Sequence, residues 1–316
     1  MVESLGDILR GGFGIWRKNL ILGVPFLLDL VIEFLVLMML ISSFIFFSAD
    51  LFSFQAHEDI YSGFTYPDIS GIMNFLFLFL ALMMFVYIVC MLINAFFEAG
   101  AIGMVRTATD TGKTELDEMT GYGKKKVIAL FLANILIDLI LIAGVVIILG
   151  IPIAFAVLLK EMVIFNWLLL LIGVVLSIVY LLVIGVAFSP VKYALVISDL
   201  GAIDGIKRGY RFFMDNKLHV FLLWLIVSVI DLVIGVINFF FGLIFIAIPV
   251  VGPLIRMVFN LLLAIILAVT LAPITACWWT RLYMDRTGMK PGEISTEIPA
   301  TPTPAPETPT TEPIYV

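Results

Sequence analysis

The sequence predicts an all-α, polytopic transmembrane bundle of six spans. Of its 316 residues, 62% are apolar and 13% charged, where a soluble chain carries about 25% charged; the mean hydropathy is +1.17. The apolar residues gather in six runs, roughly 19–47, 71–97, 127–159, 167–189, 218–250 and 257–279. About 20 helical residues cross a hydrocarbon layer of ~30 Å. The runs do not alternate apolar and polar with a period of two, which excludes an outer-membrane barrel.

Charge sets the expected orientation. Sixteen of the 18 Lys and Arg fall in segments 1–18, 98–126, 190–217 and 281–316, while Lys160 and Arg256 lie at the opposite span ends. Basic residues near span ends stay on the cytoplasmic side, so both termini are expected inside a plasma membrane. The 48–70 loop, with Asp50, Glu58, Asp59 and Asp68 and no Lys or Arg, is then expected outside. No cleavable signal peptide is expected, because the first apolar run is too long for one and no A-x-A site follows it. Cys90 and Cys277 fall within predicted spans and suggest neither a disulfide framework nor a metal site.

The chain opens on an amphipathic helix. Ser4-x-x-Asp7 reads as a capping box, and Leu5, Ile8, Leu9, Phe13 and Trp16 fall on one face. Such a helix can lie at the headgroup level, with Arg10, Arg17 and Lys18 towards anionic lipid headgroups. Equally, it can be an elbow that sets the entry angle of the span. A similar start, Thr114-x-x-Asp117, precedes the third span, and IDGIKRGYRFFMDNKL (203–218) precedes the fifth.

These openings belong to an internal repeat. Asp7 aligns with Asp204, Arg10 with Lys207, Gly12 with Gly209 and Phe13 with Tyr210. Within the spans, LLDLVI (27–32), LIDLIL (136–141) and VIDLVI (229–234) each centre on an aspartate. The even spans run out to TDTG, SDLG and MDRTG, at 109–112, 198–201 and 284–288. The predicted membrane domain therefore covers 1–286, in units of about 1–112, 113–201 and 202–286. Gly150 and Pro152 are expected to interrupt the third span, and Pro249, Gly252 and Pro253 to turn the chain between the last two. Residues 287–316 hold seven of the 14 prolines and many threonines, the composition of a disordered tail.

The aspartates are the chemical puzzle. Asp29 lies 11 residues beyond Lys18, Asp138 12 beyond Lys126 and Asp231 14 beyond Lys217. At about 1.5 Å per residue these depths are near the middle of the hydrocarbon. An ionised Asp there costs about 2.5–3.5 kcal/mol, so all three must face the bundle interior, be protonated, or both. Glu33 shares a face with Asp29, and Asn134 with Asp138. Ser228, Asp231, Gly235, Asn238 and Gly242 form a small and polar stripe, matched on the sixth span by Asn260, Ala264 and Ala268.

Two roles fit this cluster of Asp29, Glu33, Asn134, Asp138, Ser228, Asp231 and Asn238. The acids can line a path for protons, cations or polar solutes. They can instead be protonated donors that fix helix register, in a protein that organises the membrane or accompanies a membrane-protein partner or a second copy of itself. Transport calls for a water-accessible cavity reaching the aspartates; a scaffold calls for a dry core. Arg256 is the one counter-ion expected outside the basic segments. No H-E-x-x-H, G-x-S-x-G or Walker A sequence occurs, and His57 and His219 are isolated. The run at 204–215 lacks the Ala-Arg step and paired aspartates of a CDP-alcohol phosphotransferase. An enzyme, a cofactor, a bound metal and a nucleic-acid partner are therefore not expected, and a lipid-modifying enzyme is an outside possibility.

The segment SDLGAIDGIKRGYRFFMDNKLHVFLLWLI (198–226), with GFGIWRKNLILGVPFLLDLVI (12–32), resembles the membrane-domain family associated with glycerophosphodiester phosphodiesterases, and related prokaryotic six-span proteins of unassigned function. The resemblance covers about residues 1–286. In those phosphodiesterases a separate soluble domain carries the chemistry, so the resemblance implies a membrane fold and no catalytic residue.

Overall fold

The computed structural model describes residues 3–62, 69–158, 162–246, 248–249 and 251–289. Asp68, Lys160 and the tail from Lys290 onward, where the sequence places an outer acid, an outer base and the Pro/Thr-rich segment, lie outside the described residues. Every regular element described is helical, and six of them are long and apolar enough to cross a membrane.

α1 (Leu5–Lys18) forms as its sequence requires. Ser4 Oγ accepts from the Asp7 amide at 3.2 Å, Asp7 sits in the first turn, and Arg17 and Lys18 close the last. A 3₁₀ turn at Leu20–Gly23 leads into α2 (Val24–Ser62). α3 (Ile69–Thr111), α4 (Leu116–Leu158) and α5 (Val163–Phe188) follow. Pro190 starts α6 (Val191–Ile197), and then come α7 (Ala202–Asp215) and α8 (Lys217–Ile246). The expected turn at Pro249–Pro253 separates α8 from α9 (Gly252–Val269), and Thr270 marks the step into α10 (Leu271–Thr287).

Spans neighbouring in the chain pack on one another, and α9 returns onto α2, so α2, α3, α4, α5, α8 and α9 close into a ring that is loosest between α5 and α8. The most apolar window of each span is at most 17% buried within the protein. That much exposed hydrocarbon requires lipid around it. The packed core lies instead at the end of the bundle that carries the basic residues. There α6 is buried almost all round, and Tyr193 stacks on Trp279 with ring centroids 5.8 Å apart.

Around this core the short helices ride on the extensions of the even spans. α1 packs on α10, the start of α4 on α3, and α7 on α6. Trp278 Nε1 donates to the Leu9 carbonyl at 2.9 Å and Trp16 Nε1 to the Val269 carbonyl at 3.0 Å. Leu5, Ile8, Leu9 and Trp16 of α1 thus pack on protein, whereas Phe13 is 47% exposed and Arg10, Arg17 and Lys18 are exposed as well. α1 and α7 have the same length, 14 residues. Asn19 and Asn216 cap them alike, each amide side chain donating at 3.1 Å to a carbonyl four residues back. The three turns that end α3, α6 and α10 each hold one left-handed residue, Gly112 (φ 82°), Asp199 (φ 56°) and Gly288 (φ 73°).

Three expectations need correction. Thr114 does not form a capping box: α4 starts at Leu116, and Thr114 Oγ1 is buried with no hydrogen-bond partner among the described residues. The second short helix is not separate, because α4 runs without a break from Leu116 into its span; no asparagine stands where Asn19 and Asn216 stop α1 and α7. Gly150 and Pro152 do not interrupt α4 either. Pro152 is buried against Gly173, where a Cβ would come within 2.8 Å of the proline ring, so the partner helix makes room for it.

Candidate functional site

The polar side chains of the bundle are organised by one face of α3. Tyr87, Met91, Asn94 and Glu98 follow one another at spacings of four, three and four, so they lie on one side of the helix over about 16 Å of its axis. Each polar member meets a different helix. The Tyr87 hydroxyl donates to Asp138 Oδ2 on α4 at 3.1 Å. Asn94 Nδ2 donates to Asp29 Oδ2 on α2 at 2.9 Å. Glu98 Oε1 accepts from Lys192 Nζ on α6 at 2.5 Å.

Two cavities adjoin this ladder. One of about 420 Å³ is lined by Glu33, Tyr87, Cys90, Asn94, Asn134 and Asp138. The other, about 380 Å³, is lined by Glu98, Lys192, Asp231 and Thr275 among apolar residues. Asp29 stands between them. It is partly buried, within electrostatic reach of both Glu33 and Glu98, and its Oδ1 is buried with no partner among the described residues.

The structure therefore divides the seven residues singled out in the sequence. Asp29, Glu33, Asn134 and Asp138 gather around the upper ladder, as their shared helix faces suggest. Asp231 lines the second cavity with Glu98 and Lys192, yet the residue is exposed rather than enclosed by the bundle. Ser228 and Asn238 stay on α8, half-buried, and line neither cavity. The α8 stripe is not a tight helix seam throughout. A Cβ at Gly235 would meet nothing within 4 Å, whereas one at Gly242 would touch the Arg256 guanidinium at 3.3 Å.

Besides Arg256, a lysine from within the basic segments reaches the acids. Lys192 falls within a candidate span and is ion-paired to Glu98. Sequence reading missed both because it placed them in the basic segments that flank the spans. Asn94 and Tyr87 were missed as well, although polar positions recurring at helical spacing in an apolar run are a signal that points to them. The Glu98–Lys192 pair, 94 residues apart, has no local signal.

At the basic end a second charge cluster fastens the α6 turn. Asp199 bonds Lys125 Nζ at 2.7 Å and Lys126 Nζ at 2.6 Å, and Lys126, almost buried, also donates to the Leu200 carbonyl at 2.9 Å. The hydrogen bonds from Lys125 and then Lys126 hold the Asp199 carboxyl below the ordinary carboxylate value. Among the described residues no group of three or more His, Cys, Asp or Glu converges as a metal ion would need.

The family model described as "Domain of unknown function (DUF7847)" matches residues 7–282. The chain belongs to the DUF7847 family. The matched region takes in five of the six candidate spans, the sixth as far as residue 282, and both cavities. This DUF7847 chain is also similar to an Archaeoglobus fulgidus protein described as "Uncharacterized protein", with 25% identity over 303 residues, 90% of this chain and 97% of that one. No solved structure matches.

Proposed function

We propose that this DUF7847 protein is a non-enzymatic membrane protein in which the α3 ladder and its two cavities form a path for protons or small cations. The observation that carries the reading is the alignment of Asp138, Asp29 and Glu98 along one helix face, with a carboxylate-lined cavity at each end. Carboxylates at this depth are costly unless they face a polar cavity or one another, and cavities reaching the aspartates are what transport requires. A buried Asp29 oxygen without a partner leaves an acceptor open along the way.

Flux into vesicles tests this. Purified protein is reconstituted with an internal pH dye, and a potassium gradient with valinomycin sets the voltage. Wild type is expected to admit protons faster than Asp138→Asn or Glu98→Gln. Sodium and potassium are followed in the same vesicles with matching dyes. Rates equal to protein-free vesicles for all three ions would refute the reading.

Asp29–Asn94 and Tyr87–Asp138 also favour a second reading, in which the acids act as interhelical links in a membrane-organising or partner-binding protein. Such links contribute about 0.6–2 kcal/mol each. The exposed Arg10, Arg17 and Lys18 support binding of anionic headgroups by α1. The matched caps and equal lengths of α1 and α7 support a repeat relation between the first and third units, and residues 198–226 support kinship with the phosphodiesterase-associated membrane domains.

A further inference from the structure

The second cavity holds a carboxyl group that its own walls leave unpaired among the described residues. Lys192 is engaged by Glu98 at 2.5 Å. The Asp231 carboxyl, which lines the same cavity from α8, has neither a hydrogen bond nor an ion pair among the described residues. The rest of the lining is mainly apolar, with Phe26, Val227, Leu267 and Leu271 giving it bulk and Ala268 and Ala272 giving it room. Its volume of about 380 Å³ falls in the range of small-molecule sites, roughly 300–1,000 Å³, which pair an apolar wall with a few polar groups.

The chemistry narrows the occupant. An anion would have to displace Glu98 from Lys192 and would then face Asp231. A metal cation in transit would keep its hydration shell here, because one free carboxylate and the Thr275 hydroxyl are too few oxygens to hold it bare as a resident ion. A neutral hydrocarbon would fill the apolar wall and leave Asp231 unpaired. An ammonium ion on an apolar body meets both demands, and the Phe26 ring at the lining adds a face on which a cation rests favourably.

We infer that this cavity binds an organic ammonium ion, its charged head against Asp231 and its apolar body against Phe26, Val227, Leu267 and Leu271. The inference rests on the proposed role of the intramembrane carboxylates as cation acceptors, but not on passage of anything across the membrane.

The test is equilibrium binding to the full chain in lipid nanodiscs. Two probes are compared, benzyltrimethylammonium and its neutral carbon isostere neopentylbenzene. Wild type is expected to prefer the ammonium, and Asp231→Asn to weaken ammonium binding by about tenfold or more without changing binding of the isostere. Asp138→Asn, at the other cavity, should leave both unchanged. Equal binding of the two probes by wild type, no ammonium binding, or ammonium binding insensitive to Asp231→Asn would overturn the inference. The probe comparison on wild type decides the matter even if the variant does not fold. Ammonium binding without ion flux would defeat the proposed path and leave this inference standing; ion flux without ammonium binding would do the reverse.

Discussion

Lys192 Nζ lies 2.5 Å from Glu98 Oε1, joining α6 to α3 where the packed core meets the spans. The lysine also stands 5.5 Å from the centre of the neighbouring Tyr193 ring. Both charges sit inside candidate membrane spans, so neither can be left alone cheaply. Breaking such a pair by removing one partner costs about 3–5 kcal/mol when it is buried, whereas replacing both can be close to neutral. Lys192 is partly exposed at 37%, which lowers the expected cost of Lys192→Met to about 1–3 kcal/mol. The double variant Glu98→Gln/Lys192→Met should recover part of that loss. Thermal unfolding in detergent reads the effect, and simple additivity of the two single losses would show that the pair is not coupled.

The helix-on-helix contacts at the basic end depend on glycine at particular positions. A Cβ on Gly209 would lie 2.5 Å from the Val191 Cα and 2.9 Å from its nitrogen, and backbone cannot step aside as a side chain can. Gly209→Ala should therefore lower stability by about 1–3 kcal/mol. Gly14, with nothing within 4 Å of its Cβ site, should respond in the opposite direction. Gly14→Ala is expected to be neutral or to gain up to about 1 kcal/mol from helix propensity. Equal losses at the two positions would show that α7 does not pack on α6 as described.

Asp199 adds a pH dependence. Its carboxyl is held below the ordinary value of 3.8 by Lys125 and Lys126, so its contribution is present above about pH 3.8 and is lost as the pH falls through its lower folded value. Because the pair is 53–61% exposed on the Lys125 side, the contribution is expected to be at most about 1 kcal/mol. Asp199→Asn keeps a residue that tolerates the left-handed φ of 56° and removes the charge. The stability gap between wild type and variant should be constant from pH 7 to pH 5 and close only below about 3.8. A gap that closes near neutrality would assign the effect to another group.

The basic-residue distribution predicts residues near Lys125 inside and those near Asp59 outside. A single cysteine introduced at Lys125 in intact cells should be shielded from an impermeant maleimide, and one at Asp59 should be labelled. The reverse pattern would invert the topology.

How much of this was legible in the sequence follows from the range of the interactions. Run length and basic segments marked the spans. Ser4, Asp7 and the turns at Gly112 and Gly288 announced helix ends, because caps are local chemistry. The aspartate phrases pointed to Asp29 and Asp138, and shared helix faces brought Glu33 and Asn134 with them. The Thr114 reading failed because a capping pattern does not say which residue starts the helix. Pro152 was misread because the glycine that accommodates it, Gly173, lies on another helix. Glu98 and Lys192 were hidden because a charge beside an apolar run looks like a boundary until tertiary packing turns it inward. Asp231 was read as part of a helix seam, and only the meeting of α3, α6 and α8 shows the cavity it lines.

A native thiol can report whether water reaches the carboxylates along α3, as the proposed path requires. Cys90 lines the first cavity with Glu33 and Asp138. Cys277, fully buried, is removed as Cys277→Ser. In reconstituted vesicles, Cys90 should then react with a charged, membrane-impermeant methanethiosulfonate, and modification should slow any ion flux. A Cys90 that resists the charged reagent from both sides, while reacting with a lipid-soluble maleimide, would mean a dry core and would contradict the polar path.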